Sequence, residues 1–142
     1  MAVAWAQEKA QGRAAFVQGS VLALPCAEGS FDRVLDGHCW HCVLGIDRRS
    51  FLSEANRVLR PGGVFTGHTM IGPPSGIGAQ GYDGETGQTF IDGVPVRYWT
   101  TVEGACHDLR QVGFLVERSR LTPGGEMGPD LLIIDAVKIP VM

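Results

Sequence analysis

The sequence has no long apolar run and no block of like charges. Its longest strongly apolar stretch, Leu131 to Ile134, is far shorter than the roughly 20 residues that cross a membrane. The net charge of −3 is not concentrated into the basic patch that nucleic-acid binding requires. The first 20 residues include Glu8, Lys9 and Arg13 and lack the apolar core of a signal peptide. We therefore expect a cytoplasmic protein that binds neither a membrane nor nucleic acid.

Cysteine is scarce. Four cysteines in 142 residues do not form the framework of a disulfide-stabilised secreted domain, which agrees with a reducing compartment. With 44% apolar residues, the chain is long enough to bury one sizeable core. We expect a single domain over residues 1–142. Glycine, in contrast, is abundant, and it clusters between residues 72 and 93.

Apolar periodicity predicts alternating helices and strands. Helices are predicted over residues 2–11, 47–59 and 100–112, and strands over residues 15–17, 31–35, 64–70, 114–116 and 131–134. Asp47 and Thr100 are the expected N-caps, and Glu103 is placed to complete a capping box with Thr100. Pro61 ends the second helix because it disfavours helical geometry at the residue before it. This alternation predicts a mainly parallel sheet, with the last two strands antiparallel because no helix joins them.

Residues 71–97 are rich in glycine and proline. They are predicted to form a long loop, with a hairpin around Phe90 to Val94. The stretch from Gly76 to Gly81 satisfies the G-x-G-x-x-G pattern of nucleotide-binding loops. Such a loop comes directly off a strand and opens a helix, whereas this stretch follows Pro73-Pro74 and runs into Tyr82. We interpret it as part of a lid over a site and not as a cofactor loop.

Two short sequence motifs, taken in their order along the chain, indicate a protein family more specifically than the predicted helices and strands do. Leu24-Pro25 precedes Ser30-Phe31-Asp32, and further on Arg57 to Gly63 reads Arg-Val-Leu-Arg-Pro-Gly-Gly. In this order and at this spacing they resemble the second half of a class I, Rossmann-like S-adenosylmethionine-dependent methyltransferase of the type 11 group. The resemblance extends from about residue 2 to residue 138.

The resemblance implies an α/β fold with a partial doubly wound sheet. The family's strand order is 3-2-1-4-5-7-6, and the strands predicted here resemble strands 3, 4, 5, 7 and 6, with strand 7 antiparallel. The glycine-rich loop after strand 1 and the acidic residue that ends strand 2 have no counterpart in these 142 residues. We therefore expect a domain that lacks the N-terminal portion of the family fold.

The same resemblance implies a cofactor site at the ends of strands 3 and 4. After strand 3, relatives carry an acidic residue followed by an apolar one, where this chain has Ser20-Val21; a neutral hydroxyl is a weaker acceptor than a carboxylate. Residues that follow strand 4 are expected to face cofactor and substrate, since ligands bind at the carboxyl ends of such strands. The predicted cofactor-binding residues are Gly19, Ser20, Val21, Asp36 and Gly37.

Residues 38–42, His-Cys-Trp-His-Cys, hold the densest group of reactive side chains. A zinc site would need two further ligands, for which no pair with suitable spacing exists, and we predict no metal. A thiol-redox centre would use Cys39 and Cys42 at a helix start. The favoured interpretation is that both cysteines pack after strand 4 while one histidine lines the pocket. His38, nearest the strand end, is the candidate general base because imidazole titrates near neutral pH.

The function implied by the resemblance is methyl transfer from S-adenosylmethionine to a small molecule. Because the glycine loop and ribose-binding acid are missing, we expect this stretch alone to be an incomplete enzyme with weakened cofactor binding. The alternative is a non-catalytic remnant, or a subunit that pairs with a second copy or a complementing chain. The pairing surface would be the exposed edge of the strand over residues 31–35, because unpaired edges invite another strand.

Overall fold

The computed structural model describes residues 1–141. The helices are α1 (Ala2–Ala10), α2 (Asp47–Val58) and α3 (Val102–Gln111). The strands are β1 (Phe31–Leu35), β2 (Leu59–Ile71), β3 (Tyr82–Asp83), β4 (Gln88–Ile91), β5 (Val94–Tyr98), β6 (Phe114–Thr122) and β7 (Asp130–Lys138). Short 3-10 turns lie at Trp40–Cys42, Gly76–Ala79 and Gly125–Met127.

The main sheet has four strands in the order β1-β2-β7-β6. β1 is parallel to β2, with Val34 opposite Phe65, and β7 lies antiparallel between β2 and β6. This order matches the family's strands 4-5-7-6, which confirms the predicted α/β Rossmann-like fold class. The ends of α2 before Pro61 and of α3 before Gly113 are also as predicted.

The predicted strand over residues 15–17 is wrong. These residues form no regular element, and Val17 is 70% exposed. A strand requires a neighbouring strand to satisfy its backbone groups, and none of the strands within residues 1–141 pairs with this segment. The side-chain amide of Gln7 instead donates a hydrogen bond to the Phe16 carbonyl, at 3.2 Å.

Both predicted N-caps are displaced by one residue. Asp47 is the first residue of α2, where its negative charge favours the helix dipole, and Ile46 occupies the cap position. α3 is capped by Thr101, whose hydroxyl accepts a hydrogen bond from the Gly104 backbone N–H at 2.9 Å. Thr100 is buried and forms a β-bridge with Ile71, so the predicted capping box is not formed.

The region 71–97 is more ordered than a long loop. β3, β4 and β5 form a small antiparallel sheet, and the predicted hairpin is confirmed between β4 and β5. Asp92 and Gly93 turn this hairpin with φ angles of 50° and 76°, as in the favoured two-residue turn. The G-x-G-x-x-G stretch forms a 3-10 turn that leads into β3 and opens no helix.

The core lies between the main sheet and helices α2 and α3. Phe65 of β2 is fully buried at its centre, with ring centroids 5.9 Å from Trp40 and 5.7 Å from Phe114. Phe51 of α2 and Leu109 of α3 cover the same face. Trp40 is fully buried although it belongs to the segment after β1, so this segment is anchored in the core.

Candidate functional site

An apolar cavity of about 240 Å³ opens at the carboxyl end of β1. It contains three of the predicted cofactor-binding residues, Val21, Asp36 and Gly37. The position agrees with the rule that ligands of such sheets bind beyond the carboxyl ends of the strands. The full lining is Val21, Leu24, Val34, Leu35, Asp36, Gly37, Cys39, Phe51, Ala55 and Phe65.

Two charged residues of α2 hold the segment that carries Val21 in place. Glu54 Oε1 accepts a hydrogen bond from the Leu24 backbone N–H at 2.7 Å. Arg57 donates to the carbonyl oxygens of Leu24 and Cys26, at 3.1 and 2.9 Å, and pairs with Glu54. The hydrogen bond from Arg57 lowers the pKa of Glu54. Sequence reasoning missed this clamp, although a Glu and an Arg three residues apart on a helix are a detectable signal.

Asp36 shapes the opposite rim of the cavity. It is 5% exposed, and its two carboxylate oxygens accept hydrogen bonds from the backbone N–H groups of Cys39 and Trp40, at 2.9 and 3.3 Å. Burial raises the pKa of Asp36 above its usual value. The two hydrogen bonds and the nearby His68 lower this pKa, but burial has the larger effect. The side chain therefore orders the loop after β1 by binding its backbone.

His38 lies beside the cavity but is not part of its lining. It is exposed and adopts a left-handed backbone conformation, with φ of 70°, which is uncommon outside glycine. Its ring centroid is 5.3 Å from that of His68 and 6.1 Å from that of His41. Residues held in such conformations cluster at functional sites, so the geometry is compatible with the predicted role of His38.

The other two histidines are less suited to that role. His41 is 3% exposed, and burial, together with the nearby positive charges of Arg97 and Arg48 and with His38, lowers its pKa to about 4. A group with this pKa is a weak proton acceptor near neutral pH. The Nδ1 atoms of His41 and His68 are buried without a hydrogen-bond partner within residues 1–141. His38 is therefore the most exposed histidine of the cluster.

Cys39 and Cys42 differ in their exposure to solvent. Cys39 is half-buried, and burial raises the pKa of its thiol, whereas a redox-active thiol requires a lowered one. Cys42 is exposed, so the expectation that both cysteines pack after β1 is wrong for Cys42. Among residues 1–141, no three His, Cys, Asp or Glu side chains are grouped so that they could hold a metal ion.

Gly19 and Ser20 stand outside the cavity lining. A Cβ atom on Gly19 would lie 2.8 Å from Pro25 Cδ, so this close approach between two parts of the chain requires glycine. The Ser20 hydroxyl accepts a hydrogen bond from the Leu22 backbone N–H at 3.1 Å, which turns the chain toward Val21. Their predicted contact with a cofactor stays a prediction.

No helix in the described part of the chain combines the length and the apolar character that a membrane span needs.

Comparison with known proteins finds similarity to methyltransferases. The family model described as "Methyltransferase domain" matches residues 1–66. An uncharacterised methyltransferase of Synechocystis is 32% identical over 136 residues, which cover 86% of this chain and 59% of that protein. This chain thus spans about three fifths of the length of its curated relative.

Solved structures with the same fold include enzymes of more than one reaction type. A Burkholderia thailandensis 1,6-didemethyltoxoflavin N1-methyltransferase, solved with that compound and S-adenosylhomocysteine, is 23% identical with a TM-score of 0.72, covering 96% of this chain and 56% of its own. A Methanosarcina mazei S-adenosylmethionine-dependent methyltransferase is 19% identical with a TM-score of 0.74, covering 99% and 78%. The cyclase SpnF is 16% identical with a TM-score of 0.71, covering 98% and 64%.

Proposed function

We propose that this chain, which is similar to S-adenosylmethionine-dependent methyltransferases, is part of a class I enzyme of this kind and that its apolar cavity holds the adenine end of the cofactor. The observation that carries the proposal is the position of this cavity, at the carboxyl end of β1 and beside Gly37. The chain would then supply the adenine-binding and acceptor-facing parts of a methyltransferase site.

The lining of the cavity suits the adenine end of this cofactor in its chemistry. Val21 and Leu24 lie on one side of it, and Phe51 and Ala55 of α2 lie on another, so most of the lining is apolar as a purine ring requires. Asp36 is the polar residue of the lining, and two of its acceptor positions already bind backbone N–H groups. When bound, S-adenosylmethionine supplies a methyl group on a positively charged sulfur.

Charged residues hold the segments that face the reactants. Asp36 fixes the loop after β1, and the pair of Glu54 and Arg57 fixes the segment that carries Val21. His38, exposed beside the cavity, would take the proton from an acceptor whose nucleophile carries one. Alignment and exclusion of water are the contribution that methyl transfer asks of a protein.

A small molecule is the proposed acceptor. In support, the Burkholderia enzyme named above was solved with 1,6-didemethyltoxoflavin bound. The fold by itself does not determine the reaction, because the cyclase SpnF shares it. The acceptor proposal therefore depends on the sequence relationship to methyltransferases and on the absence of a basic surface patch in the sequence.

We further propose that the outer edge of β1 pairs with another strand. Within residues 1–141, β1 has a strand neighbour on one side only, namely β2. Leu35 and Phe31 of this strand are 67% and 43% exposed, so β1 carries exposed apolar side chains. A strand that carries the family's glycine loop, from the same polypeptide or from a partner, would cover the edge. Pairing with a second copy is the other outcome that a measurement of mass in solution would detect.

Calorimetric titration with S-adenosylhomocysteine tests the function. We expect saturable binding that Val21→Asp abolishes, because a carboxylate in an apolar cavity would lose its hydration. Val17→Asp is the matched control, since the same substitution four residues away falls on a 70% exposed side chain. Equal binding by the wild type and Val21→Asp would contradict the proposed position of the cofactor.

A further inference from the structure

A second cavity, of about 520 Å³, lies where the start of α2, the C-terminal half of α3 and the small sheet meet. It shares no lining residue with the cavity at β1, so it is a separate place on the molecule. Its volume is within the range of sites for small organic ligands. Polar side chains dominate the lining, among them Arg48, Arg49, Gln88, Tyr98, His107 and Asp108.

Arg48 is the central residue of this cavity. It is only 7% exposed, which is rare for arginine. Its Nη1 donates hydrogen bonds to the carbonyl oxygens of Trp40 and Val43, at 3.1 and 3.2 Å. Its Cζ lies 4.5 Å from the ring centroid of Tyr98, within the range of a cation–π contact. These contacts fix the guanidinium in one position.

The Nη2 atom of Arg48 has no hydrogen-bond partner within residues 1–141, although it is buried. The Asp108 carboxylate is 3.9 Å away, which is beyond hydrogen-bond distance. A buried donor of a charged group that lacks an acceptor is costly in free energy. An oxygen atom of a ligand would satisfy this donor once the partly exposed Asp108 side chain turns away from it.

The charges around the cavity favour an anion. Arg48 and Arg49 contribute two positive charges to the lining, and Asp108 contributes one negative charge. The Asp108 side chain is 38% exposed, so it is free to turn toward solvent when a ligand approaches Arg48. The side-chain amides of Gln88 and Gln111 line the same space and offer further hydrogen bonds.

We propose that this cavity binds a small polar molecule through an oxyanion, either a carboxylate or a phosphate group, with Arg48 as the principal donor. Asp108 competes with the ligand for Arg48. The proposal does not depend on cofactor binding, because the two cavities have no lining residue in common.

The test is an NMR titration of the isotope-labelled chain with inorganic phosphate and, separately, with succinate, at constant ionic strength. The arginine Nε–H and glutamine side-chain amide signals report the site directly. We expect saturable shifts of the Arg48 and Gln88 signals with at least one probe. The probe that saturates identifies the oxyanion class, and an absence of saturable shifts with both would overturn the proposal.

Two variants separate a specific site from general attraction of anions. Arg48→Lys keeps the charge but removes the forked donor, so binding should weaken about tenfold, while Arg120→Lys on the exposed part of β6 should not change it.

Asp108→Asn should tighten binding about threefold, because it removes the competing charge. Glu103→Gln, which removes the same charge from an exposed position on the same helix, should leave binding unchanged. Equal effects of Asp108→Asn and Glu103→Gln would show an adventitious ion only, and would refute the site even if Arg48→Lys fails to fold.

Discussion

Asp36 and Arg48 bind the backbone of the same residue, Trp40, from its two sides. The Asp36 carboxylate accepts the Trp40 N–H at 3.3 Å, and Arg48 Nη1 donates to the Trp40 carbonyl at 3.1 Å. Asp36 lines the cavity at β1 and Arg48 lines the second cavity. The buried Trp40 thus connects the two candidate sites through backbone hydrogen bonds, and its indole is part of the core.

Asp36→Asn should destabilise the fold. An amide has one acceptor oxygen where the carboxylate offers two, so one of the two backbone N–H groups would lose its partner, at a cost of about 1–3 kcal/mol. Urea unfolding of both proteins measures the difference. Asp32→Asn is the control, because the pair of Asp32 with Arg60 is exposed and such pairs contribute little. Equal destabilisation by the two substitutions would contradict the assigned role of Asp36.

Stability should fall as the pH decreases from 7 to 4, and His41 should account for part of this loss. The folded-state pKa of His41 is lowered to about 4, whereas an unfolded histidine has a pKa of about 6.5. Between these values the unfolded state binds a proton that the folded state does not bind, so protonation favours unfolding. The contribution is at most about 3.5 kcal/mol, from about 1.4 kcal/mol per pKa unit.

Urea unfolding at several pH values checks this prediction. His41→Gln should flatten the dependence between pH 4 and 6.5, while His107→Gln, which changes an exposed histidine, should preserve it. An unchanged slope in His41→Gln would show that His41 is not the responsible group.

Gly67→Ala should be destabilising because the core leaves no room for a methyl group there. A Cβ atom on Gly67 would lie 2.7 Å from the Phe65 ring and 3.0 Å from the Trp40 ring. Overpacking of this kind costs about 1–3 kcal/mol. Gly84→Ala has open space around the added methyl and should change stability by less than about 0.5 kcal/mol. Thermal unfolding of the two variants distinguishes them, and a neutral Gly67→Ala would mean that the contact between Trp40 and Phe65 is looser than described.

Arg57→Ala should weaken the binding of S-adenosylhomocysteine. The substitution removes the hydrogen bonds to the Leu24 and Cys26 carbonyls, so the segment that carries Val21 loses its attachment to α2. Arg60→Ala, which breaks the exposed pair with Asp32, is the control. Calorimetric titration measures the affinity of both variants for S-adenosylhomocysteine. Equal affinities would show that the contacts of Arg57 do not shape the cavity.

The strand order of the main sheet followed from the resemblance to class I methyltransferases, whose order it shares. The ends of α2 and α3 were predictable from local signals, namely apolar periodicity together with Pro61 and Gly113. The failed strand at 15–17 has a suitable composition, but strand formation depends on a partner that a local pattern does not contain. The displaced cap of α3 has a simple reason, since Thr100 and Thr101 offer the same chemistry one residue apart.

The candidate site was predictable only in part. Val21, Asp36 and Gly37 follow from the family motifs, and they do line one cavity. Arg48 could not be found in this way, because an arginine on an amphipathic helix is usually solvated. Its burial depends on Tyr98, which lies 50 residues further along the chain and reaches Arg48 through the small sheet. The pair of Glu54 and Arg57 was detectable from its spacing, but its backbone partners, Leu24 and Cys26, lie in a distant irregular segment that a local pattern does not connect to α2.

Mapping the binding of S-adenosylhomocysteine by NMR shows whether the cavity at β1 receives the adenine end of S-adenosylmethionine. We expect concentration-dependent shifts of the backbone amides of Val21, Gly37 and Ala55, which line that cavity, and no shift at Gln88 in the second cavity. Because NMR detects millimolar binding, the test remains valid for weak affinity. If none of these three amide signals shifts at millimolar concentrations of S-adenosylhomocysteine, the proposed position of the adenine end is wrong.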